Sequence, residues 1–238
     1  MARRKPAPLW RRVLWLTLLG ILVLQGYFAL RILLWTVIPP SSTSFMRAAQ
    51  LRILKSGDTV PWRHDWVSYA DISPHLKRAV VASEDATFLT NDGVDWDAIR
   101  DAWDRNHSRR FERKDKVVGG STITQQLAKN LFLSPERDYL RKSQELVITF
   151  LLEGILGKRR ILEMYLNSVE WGDGIYGAEA AAQTYFHTSA ARLSPAQAAR
   201  LAVMLPAPRI YQRRLYSPYM NARTGVIAAR MWDVQIPR

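Results

Sequence analysis

An apolar run dominates the start of the chain. After MARRKPAPLWRR, the stretch Val13 to Leu30 carries no charge, and beyond the single Arg31 it resumes as ILLWTVI before Pro39 and Pro40. A helix crossing a hydrocarbon core needs about 20 such residues, so this length predicts a membrane span. Elsewhere the apolar positions fall at helical spacing. Ser73 and Pro74 suit an N-cap and first helical position, and Leu76, Ala79, Val80 and Ser83 carry a helix toward Glu84 and Asp85. After Gly119 and Gly120, Ser121 or Thr122 offers an N-cap, and Thr122 with Gln125 fits a capping box. Ile123, Leu127 and Leu131 then share one face, with Thr122, Gln126, Lys129 and Asn130 on a polar side. A further helix follows Pro135: Arg141, Glu145, Thr149 and Glu153 form a polar stripe within an apolar surface of Leu146, Val147, Phe150, Leu151 and Ile155.

Charge gives the span a direction. Arg3, Arg4, Lys5, Arg11 and Arg12 precede it, so the positive-inside rule keeps the N-terminus in the cytoplasm and sends the chain beyond Pro40 outward. A cleaved signal peptide is the rival, but the run is long for one and PPSSTSF lacks a small-x-small cleavage site. Trp15 and Trp35 suit the membrane interfaces or lipid-facing positions equally. A formal net charge of +13 calls for an anionic partner: nucleic acid, an acidic membrane or a phosphorylated substrate. The absence of cysteine excludes disulfides and thiolate chemistry, and His64, His75, His107 and His187 lack ligand spacing.

Two readings compete for TITQQLAKNLFLSPERDYLRKS. As a helix-turn-helix it has Phe132 where a turn favours glycine, and the predicted topology leaves it no DNA to meet. As chemistry, a helix N-terminus with Lys129 beyond it suits a diphosphate, although an ordinary amphipathic helix explains the same pattern. Glu145 among apolar neighbours needs a partner, and Arg141 and Lys142 are the local candidates, either as a structural ion pair of Arg141 with Glu145 or as a carboxylate held beside cations that bind phosphate. Glu84 and Asp85 are adjacent carboxylates at a helix end, where the dipole disfavours them. Burial and like charge would suit them to proton transfer, whereas solvated surface acids are the common case for such a dipeptide.

The ordered stretches SEDATF…DGVDW, GGSTITQQLAKNLFLS, RDYLRKSQE, KRRILEMYLNSVEWGDGIYGAEAAAQTYF and LSPAQAARLAVMLPAP, spanning about Val67 to Tyr211, resemble the motifs of the bacterial peptidoglycan glycosyltransferases. No serine-x-x-lysine of a transpeptidase accompanies them, so the resemblance is to the monofunctional members. It implies a mainly α, lysozyme-like glycosyltransferase domain. It further implies polymerisation of lipid II into linear glycan strands by inverting transfer, with release of polyprenyl diphosphate. Glu84 matches the family's general base, and Glu145 its second glutamate, acting near the diphosphate. Ser121, Gln126, Lys129, Asn130, Arg141 and Lys142 match substrate-binding positions, and Asp85 matches a supporting one. No organic cofactor is implied, and a divalent cation, magnesium or manganese, is left open because no closed ligand set is visible.

The chain departs from the pattern at Asn91, where a histidine is usual, at His187, where a glycine is usual, and at Gln197, where a glutamate is usual. The resulting organisation is 1–12 a basic cytoplasmic tail, 13–38 the anchor, 39–66 a linker and lead-in, and 67–238 the glycosyltransferase domain. The charged Asn106–Val118 stretch reads as a loop over the cleft, or as a plain solvated connection. Expected partners are lipid II, the growing glycan, membrane lipids and proteins of cell-wall synthesis or division, with no nucleic acid. The expected location is the inner membrane, single-pass, with the domain on the periplasmic side. Rival functions are a non-catalytic membrane-anchored scaffold and a lytic muramidase; the cations Lys129, Arg141 and Lys142 argue against the latter.

Overall fold

The apolar N-terminal helix and the chain behind it share one hydrophobic core in the computed structural model, which describes residues 8–57, 59–97, 99–101, 104, 120–136 and 138–238. Among these residues the helices of four residues or more are α1 (Leu9–Leu34), α2 (Ser44–Ser56), α3 (Pro74–Glu84), α4 (Ile123–Phe132), α5 (Tyr139–Ile155), α6 (Lys158–Ser168), α7 (Ala178–Phe186), α8 (Pro195–Met204), α9 (Pro208–Tyr211) and α10 (Pro218–Arg230). Three short strands, β1 (Arg63–His64), β2 (Glu170–Gly172) and β3 (Ile175–Tyr176), form a small sheet in the order β1-β3-β2. β1 runs parallel to β3, and β2 antiparallel to it with a bulge between Glu170 and Gly172. The fold is mainly helical, as the resemblance implies.

Helix α1 is long and apolar enough to cross a membrane. It starts ahead of Val13 and stops short of Ile38, and its last third is not a free span. Phe28, Ile32 and Trp35 are buried, and Phe132 of α4 packs its ring against Phe28 at 4.9 Å and Trp35 at 5.0 Å between centroids. Trp35 therefore occupies neither of the positions open to it from sequence: it is a core residue, and its carbonyl accepts a hydrogen bond from Arg160 Nε at 2.9 Å. Trp15 remains exposed.

The 39–66 stretch read as linker contains α2 and β1. Thr43 caps α2 by accepting from the Met46 N–H, and Gly57 ends it in the left-handed conformation at φ 71°. Asn167 ties the lead-in to α6, accepting from the Val67 N–H at 2.9 Å and donating to the Val67 carbonyl at 3.0 Å.

Beneath these lies the core. Helix α3 begins as its Ser-Pro start predicts and buries Leu76, Ala79, Val80 and Val81 against α8, which also packs on α10. Helix α4 turns Ile123, Leu127 and Leu131 inward as expected and lies between α5 and α6. It is too enclosed to project into a DNA groove: Thr124, Gln125, Ala128 and Asn130 are buried as well.

On α5 the polar stripe is the buried side, in keeping with a Glu145 carboxylate that needs a partner. Glu145 and Thr149 of the polar stripe face inward with Ile148 and Leu152, whereas Val147 and Phe150 are exposed. Ion pairing inside the protein offsets the cost of burying the carboxylate. The apolar residues on the outer face stand on the helix against which α1 packs.

Candidate active site

Glu84 ends α3 and Asp85 follows as its C-cap, where a carboxylate meets the negative pole of the helix. The fold compensates. Asp85 Oδ2 accepts from the backbone N–H of Ile123 at 3.0 Å, which places the carboxylate at the positive N-terminus of α4. Its Oδ1 accepts from Asn91 Nδ2 at 2.9 Å and from Thr87 Oγ1 at 3.3 Å. Asp85 is 6% exposed, so it is a structural clamp and not a solvated surface acid. Burial raises its pKa, opposed by the Ile123 and Thr87 hydrogen bonds and by the charge of Lys158.

Glu84 lines a cleft of about 230 Å³ with Ser83, Asp85, Asp95, Gly120 and Ser121 among its walls. Burial pushes its carboxyl above the usual range; the Gln126 hydrogen bond and Lys129 pull it down, and the charge of Asp85 adds to the rise. Gln126 Nε2 donates to Glu84 Oε2 at 2.9 Å, and Gln126 Oε1 in turn accepts from the Tyr165 hydroxyl at 2.9 Å.

The capping box at Thr122 forms as its spacing predicts. Gln125 N–H donates to Thr122 Oγ1, and Thr122 N–H to Gln125 Oε1, each at 3.1 Å. Thr122 Oγ1 also donates to the Gly93 carbonyl at 2.6 Å. Gly93 has φ 84°, and a Cβ there would approach Glu153 Cγ to 2.7 Å, so glycine is required on both counts. These bonds overturn the expectation of free N–H groups at the α4 terminus: Thr122, Ile123 and Gln125 spend theirs on the protein's own oxygens.

A second cavity of about 370 Å³ is bounded by Phe45, Ser121, Gln125, Gln126, Lys129, Pro135, Arg141, Lys142 and Glu145. Glu145 is 3% exposed; Arg141 Nη1 donates to its Oε2 at 3.0 Å and Lys142 Nζ to its Oε1. The ion pair expected from spacing is thus a three-membered cluster. Arg141 Nε is buried with no hydrogen-bond partner among the described residues. Lys129 Nζ lies 5.5 Å from the Phe45 ring centroid.

Ser121 and Gln126 connect the two spaces, Ser121 by lining both and Gln126 by lining one while bonding Glu84 in the other. Of the sequence-predicted residues, Glu84, Asp85, Ser121, Gln126, Lys129, Arg141, Lys142 and Glu145 converge here. Asn130 does not: it is buried, and it lies outside the described lining of either cavity. Phe45, Asp95, Gln125 and Tyr165 are additions that periodicity does not point to, because each arrives from another element or from a buried face. The predicted loop Asn106–Val118 lies outside the described residues, as does Gly119.

The three departures have local accounts. Asn91 links Asp85 to Lys158, whose Nζ donates to the Asn91 carbonyl at 2.7 Å and to its Oδ1 at 3.2 Å. His187 ends α7 in the left-handed region at φ 52°, the conformation glycine adopts most readily. Gln197 completes a capping box with Ser194, a role open to glutamine and glutamate alike. No three His, Asp or Glu side chains among the described residues come together, and both Glu145 oxygens already face cations. The residues present therefore do not fit a closed metal cage of protein ligands.

The transglycosylase family matches residues 52–232 of the chain. A biosynthetic peptidoglycan transglycosylase of Paraburkholderia xenovorans is 49% identical over 240 residues, 98% of this chain and 96% of the relative. One from Burkholderia thailandensis is 54% identical over 217 residues, 91% and 83% of the two chains. Another from Bordetella pertussis is 48% identical over 241 residues, 98% and 100%.

Proposed function

As the chain belongs to the transglycosylase family and is a peptidoglycan transglycosylase, we propose that it polymerises lipid II, joining a growing lipid-linked glycan to the next lipid II with inversion and release of polyprenyl diphosphate. One observation carries this reading: a cleft holding a half-buried carboxylate, Glu84, adjoins at Ser121 a cavity walled by Lys129, Arg141 and Lys142.

The acceptor 4-hydroxyl enters the first space and the donor diphosphate the second. As the hydroxyl oxygen bonds to the anomeric carbon, its proton passes to Glu84 and the carbon–oxygen bond to the diphosphate breaks with its electron pair. A carboxyl raised by burial is a stronger base than one in water, and a positioned base typically contributes about 10²- to 10⁴-fold. Lys129, Arg141 and Lys142 stabilise the charge developing on the leaving diphosphate. Glu145 acts one step removed. With each oxygen engaged by a cation, it fixes the positions of Arg141 and Lys142, consistent with the family's second glutamate near the diphosphate.

Peptidoglycan synthesis places the protein in the bacterial envelope, and α1 is consistent with a membrane anchor. The finer assignment is a single pass through the inner membrane with the N-terminus in the cytoplasm, supported by the basic residues ahead of α1. Tyr139, Leu140, Val147 and Phe150 are exposed on α5, beside the anchor, which suits contact with lipid where a lipid-linked substrate waits.

The test is polymerisation of labelled lipid II by full-length protein in detergent. Glycan product from the wild type and none from Glu84→Gln is expected. Equal product from both would remove Glu84 as the base, and none from either, with lipid II bound, would favour a non-catalytic scaffold.

A further inference from the structure

We propose that Tyr165 is a positioning residue for the catalytic base: through the Gln126 amide it fixes which oxygen of Glu84 receives the acceptor's proton. The inference rests on the assignment of Glu84 as base. Tyr165 is fully buried on α6 and lies outside the described lining of either cavity. Its hydroxyl donates to Gln126 Oε1 at 2.9 Å, and Gln126 Nε2 donates to Glu84 Oε2 at 2.9 Å.

The direction of this relay is set by its ends. An ionised carboxylate only accepts, so Gln126 must present its NH₂ to Glu84 and its carbonyl to Tyr165. That carbonyl then requires a donor, which the phenol supplies. Burial and the charges of Glu84 and Asp85 hold the Tyr165 pKa well above its ordinary value, so the donor proton is retained throughout the working range. A flipped amide would set its oxygen against Glu84. With Oε2 occupied by the amide, Oε1 is left to take the acceptor's proton. Gln126 thereby becomes a link in the base machinery more than a donor contact.

Among the described residues the other charged groups acting on Glu84 are Asp85 beside it and Lys129 from α4, and Asp95 lines the same cleft. Of these, only Lys129 and the Gln126 amide favour the charged form. Losing the amide bond, or its orientation, removes a hydrogen bond to the carboxylate and raises the Glu84 pKa. The base is active when deprotonated, so the acid limb of the pH–rate profile moves to higher pH.

The experiment compares pH–rate profiles of lipid II polymerisation for full-length wild type, Tyr165→Phe, Gln126→Met and the double variant. Each single variant is expected to move the acid limb up by about one pH unit, the scale of one charge-assisted hydrogen bond. For Tyr165→Phe the KM for lipid II is expected to stay at the wild-type value, and in the double variant the limb moves no further than in Gln126→Met. An unmoved limb, or shifts that add, would overturn the proposal. If Tyr165→Phe does not fold, an unmoved limb in Gln126→Met still overturns the proposal, because the relay reaches Glu84 only through that amide. Activity surviving in Glu84→Gln would instead overturn the base assignment, a separate result.

Discussion

Glu84 and Asp85 are kept where their charged forms are disfavoured, and this has a consequence for stability as well as for chemistry. A carboxyl whose folded pKa lies above its unfolded value binds protons more tightly in the native state. Stability is then greatest below the unfolded pKa and is lost as pH rises through the folded one. Glu84→Gln removes that loss at Glu84 while its side-chain carbonyl can still accept from Gln126. The variant is expected to be inactive yet to melt above the wild type at neutral pH, with the gap closing as pH falls toward the ordinary carboxylate range. Equal melting temperatures across that range would contradict it. At His187 the cost is in the backbone, since a left-handed residue other than glycine is disfavoured by roughly 1–2 kcal/mol. The side chain is exposed, so His187→Gly should stabilise the protein by about 1 kcal/mol in denaturant unfolding, with activity unchanged. These sites were partly legible in sequence. Glu84 and Asp85 stood out as a dipeptide, but nothing in it separated the base from the clamp, because the clamp's partner is the Ile123 N–H, 38 residues away.

Between elements, the contact of α1 with α5 shows how closely the apolar N-terminal helix is tied to the helices around the site. Gln25 and Gln144 exchange two amide hydrogen bonds, at 3.1 and 3.0 Å, next to Glu145 in the cation cluster. A polar residue in an apolar helix is costly in lipid unless it is paired. Gln144→Leu leaves the Gln25 amide unpaired, and it should destabilise by about 1–2 kcal/mol, with much of the loss recovered by adding Gln25→Leu. The chain has no cysteine, so Gln25→Cys with Gln144→Cys gives an unambiguous crosslink. It should form under mild oxidation in native membranes; failure to form would place the two helices apart. Helix α4 was readable from sequence because its cap and its apolar face arise within a few residues of each other. The outward apolar face of α5 was not, since periodicity identifies two faces without saying which one a neighbour covers.

For the whole molecule, the division within α1 predicts what truncation does. The segment before Gln25 is largely exposed, whereas Phe28, Ile32 and Trp35 are core. Starting the chain at Leu22 should leave the thermal midpoint in detergent nearly unchanged. Starting it at Thr36 strips Phe132 of its two aromatic partners, and should lower stability by several kcal/mol, given about 3–5 kcal/mol for loss of a single buried large aromatic. Equal midpoints would show that the docked segment contributes nothing. The sequence by itself determined the apolar span, the capping box at Thr122, the inward face of α4, and the ordered motifs that mark the family. Each depends on chain neighbours or on residue order alone. Only the tertiary structure decided that Asp85 caps α4, that α1 reaches α5 through Gln25 and Gln144, and that the Tyr165 hydroxyl meets the Gln126 amide that bonds Glu84. Those outcomes join residues 38 to 119 positions apart. Partners so distant are chosen by packing, which sets who meets whom only after the elements have formed.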